Sequence, residues 1–108
     1  MRWYKKIYTG NKAKGRRFAI LQGIRSGKPA PDSYVVIPAE NPKNLLDIIP
    51  CRELLAAHYQ VLDPLILGIA SGKEDAIRLA ARILTDFAAG ERGFKPENLK
   101  HLREKIEE

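Results

Sequence analysis

The sequence predicts a small α/β or α+β domain in which about four strands form a mixed sheet with helices packed on it. Its 108 residues match the commonest size of a single domain, so we expect residues 1–108 to fold as one unit. Hydrophobic residues make up 44% and charged residues 30%, as in globular proteins. Strand-like and helix-like segments follow one another in the order β-α-β-β-α-β-α-α, whereas the order of the strands in the sheet cannot be read from the sequence.

The first two elements are a strand and a helix. Residues 3–8 are rich in aromatic side chains and end before a glycine, which is typical of a strand. Residues 11–26 place most of their apolar side chains on one side of a helix, and Gly27 fits its C-terminal cap. Gly15 and Gly23 would each cost about 1 kcal/mol inside a helix. The alternative is therefore a β-hairpin with a lysine-rich tip.

The middle of the chain predicts three strands and one short helix. Residues 34–37 are β-branched and aromatic and end at Pro38, and residues 45–49 form a second apolar run that ends at Pro50. A short helix is expected over residues 52–59. Residues 65–70 form an unbroken apolar run, which indicates a strand buried on both faces.

Two helices are predicted to follow the last strand. Ser71 and Glu74 have the spacing of a capping box, in which each side chain caps the backbone N–H of the other residue. Apolar side chains then recur at helical spacing up to Gly90, which fits a C-terminal cap. After Pro96, apolar residues at helical spacing predict a last helix over residues 96–106.

The basic residues are concentrated in the first third of the chain. The net charge is +6, yet the first 31 residues contain no acidic residue, and the remainder carries a net charge of −3. Lysine and arginine clusters attract phosphate backbones, and neighbouring aromatic rings can stack with bases. A plain solvated or protein-facing surface is the favoured interpretation, and nucleic-acid binding through residues 2–28 is the alternative. The candidate side chains are Arg2, Lys5, Lys6, Lys12, Lys14, Arg16, Arg17, Arg25 and Lys28.

The junction at residues 68–73, where a strand leads into a helix, is a second candidate site. Ser71, Gly72 and Lys73 lie where backbone N–H groups and the helix dipole favour an anion such as phosphate. The segment is not a P-loop, because its glycines are one residue too close and Glu74 replaces the hydroxyl that would bind magnesium. Simple capping of the helix is the favoured interpretation of this junction, and anion binding is the alternative.

Catalytic and metal-binding patterns are weak in this sequence. Cys51 and His58 are seven residues apart and would share a helix face, as a nucleophile and its base would, but no third group is placed to orient the histidine. Cysteine is more often a small buried hydrophobe. Two isolated histidines and one cysteine do not form a metal site. We therefore expect no catalytic residues, no metal and no cofactor, and we favour a protein that is not an enzyme.

Composition also predicts the cellular compartment of the protein. A single cysteine excludes an internal disulfide and favours a reducing compartment. No apolar stretch typical of a signal peptide or a membrane span is visible, so we expect a cytoplasmic protein without a membrane partner. Together these features favour a non-catalytic binding module or a subunit of a small homo-oligomer.

Overall fold

The computed structural model describes residues 2–41 and 43–88. They form a four-stranded mixed sheet with three α-helices packed on it, an α+β arrangement. The strands are β1 (Arg2–Thr9), β2 (Ser33–Pro38), β3 (Leu46–Pro50) and β4 (Leu65–Ser71), and the α-helices are α1 (Arg17–Ser26), α2 (Ala57–Leu62) and α3 (Lys73–Ala88). The predicted fold class and order of elements are confirmed for these residues. The helix predicted over residues 96–106 lies outside them.

The sheet has the strand order β1-β4-β2-β3. Strands β1 and β4 are parallel neighbours, whereas β2 runs antiparallel to both β4 and β3. Strand β1 contains a wide bulge: Trp3 pairs with Ile66 and Tyr8 with Gly68, so residues 4–7 lie opposite the single residue Leu67. The bulge brings the side chains of Tyr4 and Tyr8 together, with their ring centroids 6.2 Å apart.

The sheet separates two hydrophobic cores. Alternate residues of a strand point to opposite faces, so Val36 packs towards α3 whereas Val35 and Ile37 pack towards α1. On the first face α3 contributes Leu79, Ile83 and Phe87. On the second face the buried residues come from α1, from the strands and from a 3-10 helix that follows β3, and they include Ile20, Ile24, Cys51, Leu54, Ile66 and Ile69. The fold therefore has three layers, with β4 central in the sheet and buried on both faces.

The hairpin alternative for residues 11–26 is wrong, and the α-helix predicted there is present over Arg17–Ser26 only. A turn and a 3-10 helix (Lys14–Arg16) lead into α1, so Gly15 lies outside the α-helix itself. Gly27 has a φ of 74°, and the N–H groups of Gly27 and Lys28 donate to the carbonyls of Ile24 and Gly23, which is a Schellman cap. A Cβ at Gly23 would lie 2.9 Å from the backbone of the returning chain. Glycine is needed there for the close approach after the helix.

The short helix predicted over residues 52–59 is in fact two helices. A 3-10 helix (Cys51–Leu55) ends at Ala56, whose backbone is extended, and α2 begins at the next residue. The Gln60 side chain donates a hydrogen bond of 2.6 Å to the carbonyl of Leu54 and so joins the two helices.

Candidate functional site

The ends of β1 and β4 lie side by side, as expected if the two strands are parallel neighbours. The N–H of Gly10 donates to the carbonyl of Ile69 at 2.9 Å, which joins the loop after β1 to the last residues of β4. The segments 9–11 and 71–73 therefore meet at the end of the sheet where the C-terminal ends of β1 and β4 lie. We call residues 9–12 and 71–75, with the side chain of Arg16, the strand-end junction.

A buried carboxylate lies at the centre of the strand-end junction. Asp75 is only 3% exposed, and its oxygens accept the N–H of Ser71 at 3.0 Å and the N–H of Lys12 at 3.3 Å. The loop passes so close that a Cβ at Gly10 would overlap the Asp75 carboxylate. The protein thus supplies its own anion to backbone donors of both strand ends.

The capping box predicted for Ser71 and Glu74 is wrong, because the Ser71 hydroxyl accepts from Arg16 and Glu74 does not accept the N–H of Ser71. The carboxylate that accepts the N–H of Ser71 belongs to Asp75, one residue beyond the predicted Glu74. Glu74 is exposed and forms an ion pair with Arg78, one helical turn later, at 2.9 Å. The reason is packing: the side chain at position 75 points into the protein beneath the loop after β1, whereas position 74 faces solvent.

The side chain of Arg16 also forms hydrogen bonds in the strand-end junction. Its guanidinium donates to the Ser71 hydroxyl and to the carbonyl of Pro31, both at 2.6 Å. The N–H of Gly72 donates to the carbonyl of Asp32 at 2.7 Å. The polar groups of Ser71 and the N–H of Gly72 are therefore engaged within the protein, while Lys73 is exposed. Anion binding at Ser71, Gly72 and Lys73 stays a prediction, and Asp75 would compete with any incoming anion.

The nine basic residues of the first third do not all converge on one surface. Arg2 lies at the start of β1, where its Nε donates to the carbonyl of Asp63 at 2.9 Å, so it joins β1 to the segment before β4. Arg16 holds the strand-end junction together. Lys12 and Lys14 are exposed in the segment between β1 and α1, Lys28 is exposed after α1, and Lys6 is exposed in the bulge.

Three of the nine, Lys5, Arg17 and Arg25, line one cleft between β1 and α1. The cleft has a volume of about 280 Å³. Arg17 and Arg25 lie on the same side of α1 because they are eight residues, just over two turns, apart. We call this the β1–α1 cleft, and its lining residues are Trp3, Tyr4, Lys5, Ile7, Arg17, Leu21 and Arg25. None of these seven residues is acidic.

Two contacts show how β1 and α1 form the cleft. At one end the guanidinium of Arg25 lies 5.4 Å from the centre of the Trp3 ring, within the range of a cation–π contact. At the other end Arg17 Nε donates to the Thr9 hydroxyl over a long 3.4 Å. The helix therefore runs antiparallel to the strand beside it. Both arginine side chains stay exposed, so their charges face solvent.

The aromatic residues of the first third divide into two groups. Tyr4 and Tyr8 are buried, and the Tyr8 hydroxyl donates to Asp86 at 2.8 Å. Trp3 is half-buried, with part of its side chain packed on the core beneath α1. Phe18 is 79% exposed. It lies seven residues before Arg25, and thus on the same side of α1, so this side carries one exposed ring and one exposed cation.

Three carboxylates lie near β3, the edge strand on the side of the sheet away from β1. Glu40 lies 2.8 Å from His58 on α2, and Asp47 belongs to the edge strand β3. Partial burial raises the pKa of the Tyr59 hydroxyl, and three nearby carboxylates, on Glu40, Glu53 and Asp47, raise it further. These carboxylates share the region beside β3 with two exposed basic residues, Lys43 before the strand and Arg52 after it.

Cys51 and His58 do not share a helix face. Cys51 is 1% exposed and opens the 3-10 helix, whereas His58 is exposed on α2. Burial raises the pKa of the Cys51 thiol, and a hydrogen bond with Ser33 offsets this only in part. The thiol therefore has the environment of a structural cysteine rather than that of an activated nucleophile.

Sequence reasoning missed Asp75 and the pairing of Trp3 with Arg25. Four-residue spacing between Ser71 and Asp75 was available as a signal, but the standard capping box favours a partner three residues away. The recurrence of Arg17, Leu21 and Arg25 at helical spacing indicated one helix side, although nothing in the sequence placed that side against β1. Both features depend on contacts between distant segments.

In residues 2–41 and 43–88, no group of three His, Cys, Asp or Glu side chains is arranged to hold a metal ion. None of the helices described is long and apolar enough to span a membrane. No protein-family model matches the chain, and no curated protein or solved structure is significantly similar to it.

Proposed function

We propose that the protein is a non-catalytic binding module that binds nucleic acid through the β1–α1 cleft. The observation that carries the proposal is the convergence of Lys5, Arg17 and Arg25 on one cleft that also contains Trp3. Proteins that bind single strands without strong sequence preference combine a cationic groove with aromatic rings in this way.

The distribution of charge around the sheet supports the same proposal. A polyanion would meet three carboxylates beside β3, partly offset by Lys43 and Arg52, whereas the residues that line the β1–α1 cleft include no acidic group. Such a difference would orient the chain on a nucleic acid before any close contact forms.

A simpler account of the lysines exists. Lysine on an edge strand also prevents strands of neighbouring molecules from pairing, and Lys5 lies on such a strand. That account does not extend to Arg17 and Arg25, because both belong to α1. The arginines are therefore the residues that distinguish a binding surface from a protected edge.

The test is the affinity of a fluorescently labelled oligonucleotide, measured by anisotropy at several salt concentrations. Non-specific binding typically has a Kd of about 10⁻⁴ to 10⁻⁶ M at physiological salt. We expect this range, with log K falling by about 0.7 for each phosphate contacted per unit of log salt concentration. The Arg17→Ala/Arg25→Ala variant should bind at least about tenfold more weakly and show a salt slope reduced by about 1.4.

A matched variant controls for net charge. Lys43→Ala/Arg78→Ala also removes two exposed charges, one from the β2–β3 loop and one from α3 on the other face of the sheet. It should bind like the unmodified protein. Equal losses in the two variants, or no binding at low salt, would refute the proposal. Equally tight binding of poly-glutamate would show that the surface recognises acidic protein instead.

Two other expectations accompany this proposal. A cytoplasmic location, expected from the single cysteine, fits a partner found there. A homo-oligomer stays a prediction.

A further inference from the structure

We propose that the β1–α1 cleft takes an unpaired base of a single strand, which stacks on the Trp3 ring while Arg25 moves to a phosphate. This inference rests on the proposed nucleic-acid binding and names the form of nucleic acid that is bound. It comes from the contact of Trp3 with Arg25 in the cleft and from the exposed ring of Phe18, which lies outside the cleft on the same side of α1 as Arg25.

Trp3 is held as a platform. It packs against the core beneath α1, so its ring is fixed in place, and it also lines the cleft. The side chain of Arg25 lies over that ring at 5.4 Å and is exposed. Exposed cation–π contacts are weaker than the stacking of a base on an aromatic ring. A base can therefore replace the guanidinium at the ring.

The displaced guanidinium keeps a role in the bound state. Arg25 sits on α1 at the mouth of the cleft, so moving it from the ring places its charge near the backbone of the strand whose base has entered. Arginine donates in a planar fork that matches two phosphate oxygens. One residue thus covers the ring in the free protein and contacts phosphate in the complex.

Phe18 extends the surface along α1. Its ring is 79% exposed and lies about two turns from Arg25 on the same helix side. A single strand that follows α1 from the cleft would meet this second ring. Aromatic rings beside cationic groups are typical of surfaces that bind single strands.

A duplex does not fit this arrangement. Its bases are stacked inside the double helix, so the rings of Trp3 and Phe18 would find no base to contact and only the phosphates would bind. The cleft of about 280 Å³ is also small, near the lower limit of ligand pockets, and suits one flat group. The structure therefore favours single strands over duplexes.

The chain provides a direct reporter, because Trp3 is its single tryptophan. Tryptophan fluorescence would be followed while the full chain is titrated with three ligands of equal length, about 12 nucleotides. They are a single-stranded DNA, an abasic DNA with the same phosphates but no bases, and a blunt duplex. The single strand should quench Trp3 and bind at least tenfold more tightly than the abasic strand, whereas the abasic strand and the duplex should bind without quenching.

Each outcome decides a different statement. If the abasic strand binds as tightly as the single strand, the stacking inference is overturned while nucleic-acid binding stands. A duplex that binds more tightly than the single strand overturns it as well. If no ligand binds at low salt, the proposed function itself fails.

Variants separate stacking from charge. Phe18→Ala changes an exposed residue, so the fold should be kept; it should lose several-fold affinity for the single strand and none for the abasic strand. Trp3→Phe retains a ring and should keep much of the preference for bases, measured by anisotropy with labelled DNA. Equal losses for both strands in Phe18→Ala would contradict a stacking role for that ring.

Discussion

The strand-end junction and the β1–α1 cleft both use charged residues from the basic first third, yet they use them in opposite ways. At the junction, Arg16 and the buried Asp75 are bonded to distant parts of the chain. In the cleft, Lys5, Arg17 and Arg25 face solvent, with no acidic residue among the lining groups. The same sequence signal therefore marks a structural brace in one place and a candidate binding surface in the other.

The difference follows from the position of each region in the sheet. The junction lies at the end of two parallel neighbouring strands, where turning backbone leaves N–H and carbonyl groups that need partners. Charged side chains there satisfy the backbone. The cleft lies between the edge strand β1 and the helix α1, where unpaired backbone groups of the edge can be solvated and the cationic side chains face solvent.

The largest effect should come from removing the acceptor of the junction. Asp75→Ala leaves the partly buried N–H groups of Ser71 and Lys12 without their acceptor, and a fully buried donor left unpaired costs about 1–3 kcal/mol. We expect a loss of about 3 kcal/mol in the free energy of unfolding, measured by urea denaturation.

Glu74→Ala is the matched control for that measurement. It removes a carboxylate from the same first turn of α3, but one that is exposed and paired only with Arg78. The expected loss is about 0.5 kcal/mol or less. Equal losses in the two variants would show that Asp75 does not hold the junction together.

A smaller effect should separate two consecutive arginines. Arg16→Ala removes two hydrogen bonds, to Ser71 and Pro31, and should lower the free energy of unfolding by about 2 kcal/mol. Arg17→Ala removes only the long contact to Thr9 and should change it by less than about 0.5 kcal/mol. Urea denaturation of both variants compares the two directly. Similar free energies of unfolding for the two variants would contradict the assignment of Arg16 to stabilising the fold and of Arg17 to the binding surface.

The sequence predicts the elements well where local signals agree. The apolar run of β4 and the helical stripe of α3 each indicate one element, and both are present. The glycines at positions 15 and 23 left α1 open to a hairpin reading, because the reason for Gly23 is a close approach by residues 28–30, which no local pattern reveals.

The candidate site is less accessible to sequence reasoning. The concentration of basic residues in the first third can be read from the sequence. Which of the nine side chains form internal hydrogen bonds and which face solvent depends on the acceptors that the fold places near them. Arg16 and Arg17 are adjacent in sequence and equally charged; only the fold shows that one meets Ser71 and Pro31 while the other borders the cleft. Such partners lie far along the chain, so their positions follow from the strand order, which the sequence does not determine.

The most direct test of the central claim is heteronuclear NMR of the isotope-labelled full chain, titrated with a single-stranded oligonucleotide at low salt. The claim is that the β1–α1 cleft binds while the strand-end junction braces the fold. It predicts shifts in the amides of residues 3–7 and 17–25 and in the indole N–H of Trp3, with residues 69–76 unchanged. Shifts centred on residues 69–76, with the indole signal unmoved, would contradict it.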